Sequence, residues 1–165
     1  LGRAHEFVRP HSEESRPEVL EITLQGLVRE ILAPYPALEE GRITLVGDDM
    51  KVDDRAATPL ALLIHELATN ATKYGALGGE AGSVGIRTEL NDGHLSLLWR
   101  ENGGPAVSAP ERTGFGTVLC DLSMRGQLGG EIDWKWGPEG LAVSVQVPLR
   151  SIDGRKPWKS SRTAS

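Results

Sequence analysis

The apolar residues of this chain follow helical spacing in some stretches and strand spacing in others. From residue 19 to residue 32 they recur at intervals of three and four, which predicts a first helix that ends before Pro34. A second helical pattern begins where Thr58 can cap the helix and Pro59 can occupy its first turn. This helix is predicted to end at Gly75, as a left-handed C-terminal cap.

A third helical pattern and three alternating patterns complete the core of the chain. The third helix is predicted over residues 115 to 128, before a Gly-Gly pair. Alternating residues from 84 to 99 surround Asn91-Asp92-Gly93, and those from 131 to 147 surround a second glycine turn, so each stretch predicts a hairpin. Short β-branched runs within residues 42 to 53 predict a further small hairpin.

Together these elements predict an α+β fold, a two-layer sandwich with a mixed, mostly antiparallel sheet and three helices on one face. Residues 1–16 show no sustained apolar period and are expected to be a connector from an upstream domain. Residues 17–149 form the expected domain. Residues 150–165 are rich in Ser, Arg, Lys and Thr, and we expect a flexible tail.

Composition narrows the possible classes of protein. A chain of 165 residues with 39% hydrophobic content is long enough for one domain with a core. Its net charge of -5 argues against a sequence-independent nucleic-acid binder, which needs a basic surface. The single cysteine, Cys120, is expected to be a buried small side chain in a reducing compartment. No apolar run is long enough for a membrane span, so we expect no membrane contact and a cytoplasmic location.

Candidate chemistry concentrates on one edge of the second helix. Glu66, Asn70 and Lys73 are spaced by four and three residues, which places their side chains along one stripe. Such an edge suits a hydrated magnesium ion carrying phosphates. Asn70 would bind the metal, Glu66 would polarise a water or hydroxyl group, and Lys73 would contact phosphate. The alternative is a polar edge that is merely solvated.

Two glycine segments add possible ligand contacts. Glu101 ends a predicted strand just before a glycine turn, where its carboxylate can accept from an exocyclic amine such as adenine N6, and Gly103 allows close backbone approach. Gly114-Phe115-Gly116-Thr117 opens the third helix, whose free N–H groups favour phosphate. Each segment alone is also compatible with an ordinary turn or helix entry.

Two other chemistries are excluded by the residues present. A zinc-hydrolase motif starting at His65-Glu66 needs a second histidine where Thr69 stands. A nucleophilic serine would need a Gly-x-Ser-x-Gly turn, which the chain lacks.

The order of these parts resembles the Bergerat-type ATP-binding fold, most closely that of the HWE family of sensor histidine kinases. The resemblance covers about residues 17 to 149 and rests on three matching segments: His65-Glu66-Leu67-Ala68-Thr69-Asn70-Ala71, Trp99-Arg100-Glu101-Asn102-Gly103-Gly104-Pro105 and Gly114-Phe115-Gly116. The segment between the last two, which would form the nucleotide lid, is short. Arg112 there and Arg125 on the third helix are cations that either reach phosphate or are solvated.

The resemblance implies a role for each matched residue. Asn70 resembles the magnesium ligand, Glu66 the acidic residue beside it, and Lys73 a phosphate contact. Glu101 stands where most histidine kinases have an aspartate that reads adenine. The nucleotide-loop residues would be Gly103, Gly114, Phe115, Gly116 and Thr117. His65 belongs to the family signature, although a lone histidine on a helix is equally well explained as a hydrogen-bonded packing residue.

The resemblance further implies a function, a cofactor set and partners. The chain would be the catalytic domain that binds ATP and Mg²⁺ and transfers the γ-phosphoryl group to a histidine on upstream dimerisation helices. A response regulator would then be an indirect partner. The alternatives are a nucleotide-gated binding module and an ATPase of the same fold that does not phosphorylate histidine.

Overall fold

The computed structural model describes residues 21–106, 108–110 and 114–154 as a two-layer α+β domain. Its helices are α1 (Leu24–Leu32), α2 (Pro36–Glu39), α3 (Asp54–Tyr74), α4 (Phe115–Leu122) and α5 (Leu149–Ile152), with a π-helical segment over Ser123–Gln127. Its strands are β1 (Ile43–Gly47), β2 (Ser83–Asn91), β3 (His94–Asn102), β4 (Glu131–Gly137) and β5 (Gly140–Pro148).

The five strands form one sheet in the order β1-β2-β3-β5-β4. β1 pairs with β2 in parallel, whereas the other three pairs are antiparallel. The predicted fold class, with a mixed and mostly antiparallel sheet, is confirmed. Within the described residues, the three predicted helices are joined by two helices of only four residues each, α2 and α5.

One face of the sheet is buried. Successive side chains of a strand point to opposite faces, so every second residue lies on the buried face. In β2 and β3 every second residue is buried, including Ile86 and Trp99. The predicted apolar stripe of α3 packs in the same core and is fully or almost fully buried: Leu60, Leu63, Ile64, Leu67 and Ala71. The adjoining edge of α3 therefore lies at the boundary between the core and solvent. Cys120 is buried in this core too, as predicted.

The two hairpins predicted around Asn91-Asp92-Gly93 and around residues 137–140 are confirmed by the β2–β3 and β4–β5 pairings. The hairpin predicted within residues 42 to 53 is wrong. β1 pairs instead with the distant strand β2, while Lys51 forms an isolated bridge with Thr23. Neither partner is close in sequence, so the local pattern carried no sign of them.

The boundaries of α3 also differ from the prediction. The helix begins at Asp54, because the side chain of Asp53 caps it by accepting from the backbone N–H of Ala56 at 3.0 Å. Pro59 therefore lies inside the helix rather than in its first turn. At the other end Gly75 has φ -125° and ψ -148°, so the predicted left-handed cap is wrong.

The third helix and the segment after β5 both differ from the prediction. The third helix is α-helical only to Leu122, after which the chain continues as a π-helical segment. Residues 149–152 form α5, and Ile152 is fully buried, so the expected flexible tail does not begin at residue 150. The rest of that tail, from residue 155, and the expected connector over residues 1–16 lie outside the described residues.

Candidate functional site

A cavity of about 530 Å³ lies between the C-terminal half of α3, the start of α4 and the end of the sheet that carries β4. Its walls come from four separate parts of the chain. The lining residues are Glu66, Thr69, Asn70, Lys73, Tyr74, Gly75, Glu101, Ser108, Pro110, Gly114, Phe115, Gly116, Thr117, Trp134, Trp136 and Leu141. Most of the predicted site residues are among them.

The polar edge of α3 forms one wall of this cavity. The side-chain amide of Asn70 donates through Nδ2 to Oε1 of Glu66 at 3.2 Å, one helical turn away. This bond orients the carboxamide and leaves its oxygen, Oδ1, as an acceptor or metal ligand. Lys73 lies one further turn along the same wall and is exposed. The predicted stripe is therefore assembled as the spacing indicated.

The N-terminus of α4 meets the same wall. Gly114 is the N-cap of this helix and supplies no side chain to its free N–H groups. Gly116 packs so closely on Glu66 that a Cβ atom at position 116 would collide with the Glu66 carboxylate. The glycine therefore allows α3 and α4 to approach, and the first turn of α4 lines the same cavity as Glu66 and Asn70.

Glu101 is a buried carboxylate that closes the inner end of the cavity. Its side chain accepts two hydrogen bonds, from the backbone N–H of Ala76 to Oε1 and from the indole Nε1 of Trp99 to Oε2, each at 3.1 Å. Burial raises the pKa of Glu101, and the two donors oppose that rise only in part. A Cβ atom at Gly75 would collide with Oε1 of Glu101, which explains the glycine at the end of α3.

Two predicted site residues do not line the cavity. His65 is exposed, and its Nδ1 lies 3.5 Å from Oγ1 of Thr69. Gly103 has a φ of +74° and approaches the backbone of Ala81 and Gly82 rather than the cavity. The cation at Arg125 is held on β4 by hydrogen bonds to Glu131 and to the backbone carbonyl of Ile132.

Arg112, the other candidate cation, lies outside the described residues, as do His5 and His11.

The cavity has an aromatic wall that the sequence patterns did not predict. Trp134 and Trp136 of β4 line it together with Leu141 of β5. The two indoles stack with ring centroids 6.0 Å apart and an angle of 13° between their planes. Their spacing of two residues places them on one face of the strand, which was visible in the sequence, but the pattern does not say that this face borders a cavity.

Two further observations concern metal binding by protein side chains and membrane-spanning helices. Across residues 21–106, 108–110 and 114–154, no three His, Cys, Asp or Glu side chains are grouped so that they could hold a metal ion by themselves. No helix in this described part of the chain is long and apolar enough to cross a membrane.

No family model matches the chain, but individual proteins match it in sequence and in fold. It is 37% identical over 136 residues to blue-light-activated histidine kinase 1 of Erythrobacter litoralis, covering 81% of this chain and 38% of that protein. It is 33% identical over 153 residues to a blue-light-activated histidine kinase of Brucella anthropi, covering 90% of this chain and 30% of that protein. The chain therefore spans well under half the length of these relatives.

The fold is similar to a solved structure of the same group. The histidine kinase domain of the Erythrobacter litoralis EL346 blue-light-activated histidine kinase superposes with a TM-score of 0.61 at 25% identity, covering 78% of this chain and 65% of that one. Fold, cavity and relatives together define a histidine kinase catalytic domain. The chain belongs to the HWE family of sensor histidine kinases and corresponds to the catalytic domain of these proteins.

Proposed function

We propose that this domain binds ATP with Mg²⁺ in the cavity beside α3 and transfers the γ-phosphoryl group to a histidine on a separate dimerisation domain. One observation supports this most strongly. The polar edge of α3, the buried Glu101 and the N-terminus of α4 are distant in sequence, yet they line a single cavity. These three features are the ones a nucleotide requires for its metal, its base and its phosphates.

The residues present fit a magnesium ion shared with phosphates. The free Oδ1 of Asn70 is a hard oxygen ligand of the kind that Mg²⁺ prefers, and the Glu66 carboxylate beside it can accept hydrogen bonds from metal-bound water. Mg²⁺ retains several waters and takes phosphate oxygens as ligands, so one protein oxygen is a reasonable contribution. When bound there, the ion would offset negative charge on the β- and γ-phosphates.

We assign the base to the inner end of the cavity and the phosphates to its outer end. Glu101 would accept a hydrogen bond from adenine N6. The amide groups of Gly114, Phe115, Gly116 and Thr117 at the start of α4 would face the phosphates, together with Lys73. The base-to-phosphate direction then runs from β3 towards the exposed part of α3.

The reaction would be an in-line displacement at the γ-phosphorus. A bond forms between this phosphorus and a ring nitrogen of the acceptor histidine, the bond to the bridging β–γ oxygen breaks, and ADP leaves. In this domain Lys73 and the α4 amides would hold the transferred group, and Glu66 would accept a hydrogen bond from the incoming imidazole and take its proton. His65 is exposed on the same helix and would act at the rim of the site.

We further propose the context of the domain. Residues 17–149, extended by α5, would form the catalytic unit, with residues 1–16 leading from upstream dimerisation helices that carry the acceptor histidine. A response regulator would receive the phosphoryl group from that histidine in the cytoplasm. The acceptor must dock at the γ-phosphate and withdraw, which paired helices on a hinge can do.

Phosphoryl transfer to the upstream segment tests this function. The chain would be incubated with γ-labelled ATP and Mg²⁺, alone and then together with the parent protein's preceding helical segment. We expect acid-labile label on the added segment and none on the chain alone, because the sequence assigns His5 and His11 to a connector, His65 to the nucleotide helix and His94 to a hairpin. Acid-labile label at His5 or His11 on the chain alone would contradict the assignment. Rapid phosphate release without transfer would favour the ATPase alternative.

A further inference from the structure

The stacked pair Trp134 and Trp136 stands opposite Glu101 across the sheet, with only one strand between them. β5 lies between β3 and β4 in the sheet order. Leu141 of β5 pairs with Trp136 of β4. On the other side of β5, Ala142 pairs with Arg100, and the same antiparallel register brings Glu101 opposite Leu141. Glu101, Leu141 and Trp136 therefore form one row on the cavity side of three adjacent strands.

The dimensions of this row suit a flat aromatic ligand. Neighbouring strands lie about 4.8 Å apart, so the backbones at Glu101 and Trp136 are separated by roughly 10 Å, with Leu141 as the floor between them. The neighbouring row across the same three strands consists of Trp99, Val143 and Trp134. Side chains already fill this row, and Trp99 is fully buried. The open space therefore lies above Leu141 and is closed at one end by indole rings.

The indole wall is held in place from behind. The Nε1 atom of Trp134 donates to Oδ1 of Asp121 on α4 at 2.9 Å, which fixes that ring against the helix. Trp136 stacks on the fixed ring and lines the cavity with it. A ring held in this way loses little freedom when a ligand packs on it, so the contact favours binding.

We propose that Trp136, backed by Trp134, is a base-binding residue: the purine lies over Leu141 with its N6 edge at Glu101 and its ring packed against the indole of Trp136. This inference rests on the proposed function, since it takes the ligand to be a nucleotide. It adds a contact that neither the glycine segments nor the polar edge of α3 supplies. The contact recognises an aromatic ring of any kind, whereas Glu101 selects adenine among purines.

The test measures affinity for ATP and for ADP by calorimetry in Trp136→Leu, Trp136→Phe and the unmodified chain. Lys135→Ala serves as the control because Lys135 is an exposed residue on the opposite face of the same strand. We expect Trp136→Leu to bind both nucleotides on the order of tenfold more weakly, with an unchanged ratio between them, because base stacking does not involve the phosphates. Trp136→Phe should retain most of the affinity, and Lys135→Ala all of it.

A fluorescence titration covers the case in which Trp136→Leu does not fold. ATP should quench tryptophan emission in the unmodified chain, and most of that change should disappear in Trp136→Phe. If the unmodified chain binds ATP but Trp136→Leu binds it equally well, or the quenching persists in Trp136→Phe, the inference is wrong and the proposed function stands. If the unmodified chain does not bind ATP, the proposed function itself fails.

Discussion

The indole Nε1 of Trp99 donates a hydrogen bond to Oε2 of Glu101 across 3.1 Å, between two buried residues on one face of β3. The other carboxylate oxygen accepts from the backbone N–H of Ala76. The two donors hold the carboxylate in one orientation and help it to remain ionised against the cost of burial. The Trp-x-Glu pair in the sequence thus corresponds to a donor and the acceptor that it positions.

Replacing Trp99 by phenylalanine should weaken nucleotide binding through Glu101. Trp99→Phe keeps an aromatic ring but removes the N–H donor, so the already raised pKa of Glu101 should rise further. Because a protonated Glu101 accepts less well, ATP affinity should fall as the pH decreases through that pKa, and the midpoint should shift to higher pH in the variant. Calorimetry over a pH series that starts at the ordinary glutamate pKa of about 4.3 and runs upwards measures this midpoint.

The stability of Trp99→Phe can be measured separately from its nucleotide binding. Losing one hydrogen bond to a buried charged group should cost about 1.5–3 kcal/mol of unfolding free energy in urea. If the stability falls but the midpoint for ATP binding does not move, the indole only packs in the core and does not position Glu101.

Glu101→Gln should relax the preference for adenine. The ionised carboxylate accepts from adenine N6 and repels guanine O6, which is itself an acceptor. A glutamine amide can face either purine, but its NH₂ group must also lie against one of the N–H donors of Ala76 or Trp99, so some stability is lost. The ratio of the Kd values for GTP and ATP measures the effect. Glu139→Gln, at an exposed position, is the control and should leave the ratio unchanged.

Asn70→Ala should weaken ATP binding mainly when magnesium is present. The proposed ligand is the Oδ1 atom of Asn70, so we expect a loss of roughly tenfold or more in Mg²⁺ and a much smaller loss in excess chelator. Thr72→Ala, at an exposed position of the same helix that does not line the cavity, is the matched control. Equal losses with and without the metal would remove Asn70 from the metal site.

Asp53→Asn should destabilise the domain at neutral pH more than at acid pH. Burial raises the pKa of Asp53, but hydrogen bonds from Gly154, Ala56 and Arg55 outweigh that effect and hold the pKa below its ordinary value. The charged form is therefore favoured by folding. Its contribution is complete above a pH of about 4 and is lost as the pH falls through the lowered native pKa.

An asparagine at position 53 can still cap α3. Its single side-chain oxygen cannot accept hydrogen bonds from the backbone N–H groups of both Ala56 and Gly154, so we expect a cost of about 1 kcal/mol near pH 7. Urea unfolding of both proteins from pH 7 down to pH 3 should show the difference shrinking below about pH 4. Asp133→Asn, at an exposed position of β4, is the control. A difference that stays constant across this range would show that the charge of Asp53 plays no part.

Local patterns predicted the parts of the domain that depend on local interactions. The apolar stripe and polar edge of α3 follow from residue spacing, and the β2–β3 hairpin follows from its Asn-Asp-Gly turn. The parallel pairing of β1 with β2 joins segments far apart in the chain and has no local signal. The strand-like pattern near Lys51 therefore gave the wrong partner.

The site shows the same division between local and distant contacts. Asn70 and Glu66 interact within one helix, so their pairing was predictable. The glycine at position 75 is required by Glu101, which reaches it only in the folded chain, and a helix-capping rule explained it incorrectly. The aromatic wall escaped prediction for a similar reason, because alternation places Trp134 and Trp136 on one face without identifying what that face borders.

The most direct test of the proposed adenine nucleotide site is calorimetric titration of the unmodified chain with ATP and with GTP, each with and without Mg²⁺. We expect one ATP per chain, tighter binding when Mg²⁺ is present, and GTP binding at least about tenfold weaker, because Glu101 loses a donor and meets an acceptor in guanine. Absence of ATP binding, or GTP binding as tight as ATP, would contradict the assignment of this cavity as an adenine nucleotide site.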